Sequence, residues 1–240
     1  MTDLDNIETD PLSINAIING SFVNSNAMHN GKGQLYSDEE VTQLPSIRHD
    51  HPHYLEWKFR EHSTKRLLKL VQHAGTSPNI LQVGCGIGWL AAKLASVTQG
   101  QVVGIDTNMR ELMQAKRVFR GLRNLDFSAS DISDGPLKDK QFDLIVFAAY
   151  IQFLPSLKAA IKNAIGHLTL MGQIHILDSP MNIGENIWSK QTNDNDQQVH
   201  HISELECFQY KIIYDPDAWN NKLFTKRDPY CHIVIKNYYH

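Results

Sequence analysis

The strongest constraint on this chain is a regular alternation between residues 79 and 179. Short apolar runs alternate there with segments whose apolar residues recur every three or four positions. Asn79–Gly84, Gln101–Asp106, Leu125–Asp131, Phe142–Ala149 and Gln173–Ser179 read as strands. Trp89–Val97, Met109–Leu122 and Ser156–Leu168 read as the helices between them, with Gly172 as a stop after the last. Strands separated by helices must run parallel, because right-handed crossovers return each strand to the same edge. Helices then cover both faces of the sheet. A further helix is expected from about His53, where Leu55, Phe59, Leu67, Leu68, Leu70 and Val71 recur at three-to-four spacing before Gly75 and Pro78 end it. Cys207–Tyr214 and Tyr230–Asn237 read as a terminal antiparallel hairpin.

Residues 1–50 are rich in Asn, Asp, Ser and Gly and weak in periodicity, which predicts an extension or lid. Residues 51–240 form the domain proper. In 240 residues, 42% are apolar and 20% charged, and the net charge is −3. These values exclude a disordered chain. The mild acidity argues against a nucleic-acid partner, which calls for a basic face. Three widely spaced cysteines, Cys85, Cys207 and Cys231, do not make a disulfide framework and suit a reducing compartment. The start carries Asp3, Asp5, Glu8 and Asp10 and no early basic residue, the reverse of a secretory leader. Ile80–Ala92 and Leu144–Leu154, the longest apolar stretches, are too short for a membrane span of about 20 residues. A cytoplasmic protein without a membrane partner is expected.

The chemistry is concentrated in Gln82-Val83-Gly84-Cys85-Gly86-Ile87-Gly88-Trp89, which closes the first strand and opens the next helix. Glycines at such a turn adopt dihedrals closed to other residues and let a ligand approach the backbone. The helix start adds free N–H groups and partial positive charge. A dinucleotide loop needs G-x-G-x-x-G, and Trp89 occupies the place of its last glycine.

The spacing G-x-G-x-G resembles the first motif of the class I S-adenosylmethionine-dependent methyltransferases. The resemblance extends in order over residues 79–179. It implies an α/β fold: a doubly wound, Rossmann-like, mostly parallel seven-stranded sheet with a C-terminal antiparallel hairpin. It implies S-adenosylmethionine as cofactor, in contact with Gln82, Gly84, Cys85, Gly86 and Gly88. Gln82 departs from the family's acidic residue at that place, keeping an acceptor and losing the charge. Asp106, at the end of the second strand with Thr107 beside it, matches the ribose-binding carboxylate. Asp131 and Ile132 match the adenine contacts, and Ala148 lies at the cofactor-facing end of the fourth strand. The function implied is methyl transfer. The Gln82 departure motivates one alternative, a regulatory protein that binds the cofactor without transferring methyl.

Methyl transfer is an in-line displacement, so the protein mainly positions the nucleophile and excludes water. Acceptor residues belong on loops at the carboxyl ends of the strands. Tyr150 and Gln152 follow the fourth strand, and Asp178, Ser179 and a long polar segment Met181–His201 follow the fifth. Catalytic candidates are Tyr150, His200 and His201. Residues 148–152 (Ala-Ala-Tyr-Ile-Gln) do not match the Asn-Pro-Pro-Tyr-like string of base methyltransferases, which favours a small-molecule acceptor. Tyr54, Trp57 and Arg60 lie on the preceding helix, in a region that in the family can border the cofactor's methionine end, with plain packing as the other reading. His49-Asp50-His51-Pro52-His53 is read as a polar lead-in rather than a metal site, since Pro52 prevents helical pairing and no cysteine is near.

Overall fold

A computed structural model describes residues 36–73, 77–133, 137, 139–183, 198–216 and 228–237. The elements are α1 (Asp38–Gln43), α2 (Tyr54–His73), β1 (Ile80–Val83), α3 (Trp89–Ala95), β2 (Val102–Asp106), α4 (Met109–Val118), β3 (Leu125–Ala129), β4 (Phe142–Ala148), α5 (Leu157–Ile165), β5 (Leu168–Leu177), β6 (Met181–Asn182), β7 (His200–His201), β8 (Tyr210–Tyr214) and β9 (His232–Lys236). Seven strands form one sheet in the order β3-β2-β1-β4-β5-β9-β8. The first five neighbours are parallel, and β9 enters antiparallel between β5 and β8. The doubly wound α/β sheet and the terminal hairpin are as expected.

The sequence period of two explains the layers. In β1 and β4, Ile80, Leu144 and Val146 pack on one face with Leu67, Leu90, Leu94 and Leu112. Leu81, Val83, Ile145 and Phe147 pack on the other with Leu157, Ile161 and Ile174. Both faces are therefore dry, and β1 is buried along its whole length. Helices α2, α3 and α4 contribute to the first layer and α5 to the second.

Several boundaries differ from the sequence reading. Helix α5 ends at Ile165, capped by Gly166, and not at Leu168. Strand β5 begins at Leu168, so Gly172 lies inside it rather than stopping a helix. The register explains this: Phe142 faces Leu168, but Leu144 already faces Gln173, so β5 carries an irregularity there. A Cβ at Gly172 would come within 3.0 Å of the Phe142 carbonyl oxygen, which accounts for the glycine. Helix α4 also stops at Val118, short of Leu122, although Phe119 and Leu122 still pack on the core.

Tyr36, Val41 and Leu44 are buried in the same core as the sheet. Gln114 donates to the Tyr36 carbonyl at 3.0 Å, and Arg117 pairs with Asp38 at 2.7 Å, which fastens this segment to α4. The rest of the predicted extension, residues 1–35, lies outside the described residues. So do Gly75, the Asp134-Gly135-Pro136 turn, the Asp217–Leu223 connection and most of the predicted lid after β6. No helix among the described residues is long and apolar enough to cross a membrane.

Candidate active site

Strand order reverses at β1, whose two neighbours are β2 and β4. The carboxyl ends of these strands leave a crevice there. Its wall includes Gln82, Gly84–Ile87, Asp106, Glu111, Ala148–Tyr150 and Asp178, with Trp57 and Arg60 of α2.

The glycine loop builds one half. Gly84, Gly86 and Gly88 all have positive φ, at 67°, 51° and 76°. Cys85 N–H reaches the Ile105 carbonyl at 3.0 Å, and Gly88 N–H returns to the Cys85 carbonyl at 2.9 Å. Helix α3 then starts directly from Gly88. Each glycine has a separate cause. A Cβ on Gly84 would lie 2.0 Å from the Tyr150 ring, and one on Gly88 would strike Phe127 and Ala115 within 2.8 Å. At Gly86 only the Glu111 carboxylate is close, at 2.7 Å.

Asp106 is 2% exposed and organises this half. One carboxylate oxygen accepts from Gly86 N–H and the other from Asn108 N–H, both at 2.8 Å. Each oxygen keeps a second lone pair for a ligand. Glu111, one turn into α4, was not singled out in the sequence, where it reads as an ordinary first-turn acid. Burial, with repulsion from Asp106, raises its carboxyl to about 7. Gln82 is 3% exposed, and its Oε1 has no hydrogen-bond partner among the described residues. An orphaned acceptor on a cleft wall is a vacancy for a ligand donor.

The other half comes from α2, β4 and β5. Trp57 donates to the Tyr36 hydroxyl at 2.7 Å and meets Trp89 edge-on at 5.2 Å. The Arg60 guanidinium lies 4.9 Å from the Trp57 ring and pairs with Glu56 at 2.6 Å. Two residues at the strand ends carry left-handed backbones, Ala149 with φ 53° and Asp178 with φ 55°. Ala149 N–H donates to the Leu177 carbonyl at 3.0 Å, so the two bends adjoin.

The structure gathers Gln82, Gly84, Cys85, Gly86, Asp106, Ala148 and Tyr150 around the cleft. Gly88 supports the loop from behind. Thr107 is exposed beside Asp106. Asp131 accepts from the Ser133 N–H and hydroxyl at 3.0 and 2.8 Å, and the Ile132 side chain is buried in the second layer. Burial, then the charges of Asp106 and Asp131, push the Tyr150 phenol well above its ordinary value, so it stays protonated. His200 is held between Glu204 at 2.9 Å and the Ile151 carbonyl at 3.0 Å. His201 caps the short helix Ile202–Leu205. Neither histidine is among the residues that line the cleft. Burial raises the Cys85 thiol far above its usual range, which keeps it un-ionised. Among the described residues no three His, Cys, Asp or Glu are arranged to hold a metal ion.

Residues 80–172 match the family model of a methyltransferase domain. A malonyl-[acyl-carrier protein] O-methyltransferase of Bacillus anthracis is 24% identical over 169 residues, 60% of each chain. Its Bacillus cereus counterpart is 25% identical over 46% of this chain and 41% of its own. The chain thus spans 60% and 41% of these relatives' lengths, less than two thirds of either. Among solved structures, the N-methyltransferase NodS of Bradyrhizobium japonicum in complex with S-adenosyl-l-homocysteine is 20% identical, with TM-score 0.56 over 83% of this chain and 97% of that one. The [4+2]-cyclase SpnF has the same fold, with TM-score 0.55 and 16% identity over 72% and 80%. Residues 80–172 are thus similar to a methyltransferase domain, and the strand order is that of a fold shared with these solved structures.

Proposed function

We propose that this protein is an S-adenosylmethionine-dependent methyltransferase acting on a small molecule, in the cytoplasm. One observation carries the reading: a left-handed glycine loop, tied to Asp106 through Gly86 N–H, borders a cleft holding the orphaned Gln82 acceptor. The donor set fits the cofactor. Gln82 Oε1 can accept from its ammonium group and Arg60 can neutralise its carboxylate. Asp106 suits the ribose hydroxyls, with Thr107 beside it, and Asp131 with Ile132 would serve the adenine end. When bound, the sulfonium supplies an electrophilic methyl group. The chain's own task is then to orient the acceptor between the two halves and keep water out. Trp57, Trp89, Tyr150 and Phe153 supply an apolar wall suited to both.

The curated relatives' O-methyltransferase names and the N-methyltransferase neighbour support transfer to a heteroatom. The sparse, widely spaced cysteines Cys85, Cys207 and Cys231 support a reducing compartment. The cyclase neighbour keeps the alternative in view, since this fold serves reactions other than methyl transfer. A label test separates them. The chain is incubated with methyl-labelled S-adenosylmethionine and a panel of hydroxyl, amine, thiol and carboxylate metabolites. Label should pass to at least one class. Binding of the cofactor with no transfer to any of them makes the protein a cofactor-binding regulator instead. NADH should not bind.

A further inference from the structure

The proposed cofactor contacts leave the Asp178 carboxyl of the cleft unassigned. Asp178 ends β5, is 4% exposed, and lines the cleft beside Ala149 and Arg60. Its Oδ1 has no hydrogen-bond partner among the described residues. Its backbone is left-handed, at φ 55°. A non-glycine residue held there costs of order 1–3 kcal/mol and persists only where the surroundings enforce it. The surroundings are identifiable. Ser63 hydrogen-bonds the carboxyl, and Arg60, Arg66, Asp228 and Tyr230 face it from α2 and from the residues that lead into β9. Arg66 is itself engaged by Asp228 and stacks over Tyr214 at 3.9 Å. A buried, strained acid with one unpartnered oxygen therefore stands in the cleft wall.

We infer that Asp178 receives the proton of the methyl acceptor, and that the acceptor is a hydroxyl or amine compound with a flat apolar body. This rests on the methyltransferase reading and adds the substrate class to it. An orphaned carboxylate oxygen selects a ligand that donates a hydrogen bond, because burying it unpaired leaves its desolvation uncompensated. The neighbouring apolar wall selects the body. As the acceptor's oxygen or nitrogen bonds to the methyl carbon of a sulfonium donor, the carbon–sulfur pair stays on sulfur as a thioether. The acceptor's hydrogen leaves as a proton to Asp178, whose carboxylate becomes a carboxylic acid.

The other polar groups of the cleft are committed elsewhere. Asp106 holds the loop, Glu111 lies against Gly86, and the Tyr150 phenol keeps its proton. Burial, and then Asp228, raise the Asp178 carboxyl to about 7 against the lowering effects of Ser63, Arg60 and Arg66. A base near neutrality is suited to proton transfer at physiological pH.

The test uses phenol and benzylamine as probes and toluene as the matched body without a donor. Each is titrated by NMR into the full chain saturated with S-adenosylhomocysteine, and into Asp178→Asn and Asp178→Glu. The wild type should prefer phenol or benzylamine to toluene. Asp178→Asn should weaken that probe about tenfold, leave toluene unchanged and retain S-adenosylhomocysteine. Asp178→Glu should restore part of the preference. If the wild type shows no preference over toluene, or if Asp178→Asn keeps it, the inference is overturned. If S-adenosylhomocysteine fails to bind the wild type, it is the methyltransferase reading that fails, which is a separate outcome.

Discussion

The two halves of the cleft are built by different means. The glycine-loop half is mostly backbone: three left-handed glycines, N–H groups at the start of α3, and one carboxylate that holds the loop. The half made by α2, β4 and β5 is mostly side chains drawn from distant positions, including Arg60, Tyr150 and Asp178. A backbone site tolerates little, since any added atom meets fixed structure. A side-chain site can be rebuilt residue by residue, which suits a surface that must recognise one acceptor among many.

The largest predicted effects break the first half, and they split it in two. Gly86→Val forces a β-branched residue into a left-handed backbone beside only the flexible end of Glu111. We expect it to abolish S-adenosylhomocysteine binding in calorimetry while circular dichroism shows a folded chain. Unaltered affinity would mean that no ligand approaches the loop. Gly88→Val instead drives a side chain into Phe127 and Ala115. It should lower unfolding stability by about 3 kcal/mol, from overpacking and strain together. A chain as stable as wild type would remove the packing role given to Gly88.

Next comes Asp106→Ala. Loss of hydrogen bonds in a buried site should weaken S-adenosylhomocysteine by roughly 1–3 kcal/mol. An unchanged dissociation constant removes Asp106 from the ribose role.

Glu111 offers a pH test. Its carboxyl rises from 4.5 in the unfolded chain to about 7 in the fold, through burial and Asp106. The folded state therefore holds this proton more tightly. The stability this contributes is complete below about 4.5 and is lost as pH rises through 7. Glu111→Gln stays neutral, so denaturant titration at pH 8 should find it more stable than wild type by about 1–3 kcal/mol. The gain should vanish in acid, and a gain of equal size at all pH values would refute the cause.

The smallest effect tests the second half. The Tyr150 ring, not its hydroxyl, meets Gly84. Tyr150→Phe should leave S-adenosylhomocysteine affinity unchanged by calorimetry. A large loss would assign the phenol a direct ligand contact.

The same contrast explains what the sequence revealed. The glycine loop is local: strand, turn and helix start fall within about ten residues, and each glycine answers to a nearby wall. Asp106 follows from its place at the end of the second strand. The period of two in β1 and β4, with both faces apolar, made the parallel sheet readable. Glu111 was invisible because its meaning depends on Gly86 and Asp106 across a turn. Asp178 was noted only as a residue after the fifth strand. Its free oxygen and strained backbone emerge once Ser63, Arg66 and Asp228 are brought beside it. Gly172 misled because a glycine after apolar helical spacing resembles a cap, whereas here it relieves a crowded shift of strand register.

The central claim is that the loop half of the cleft binds the cofactor. It is tested most directly by calorimetric titration of S-adenosylhomocysteine into the purified full chain. The account predicts saturable binding at one site per chain. No heat of binding at millimolar ligand, with the chain shown to be folded, would contradict it.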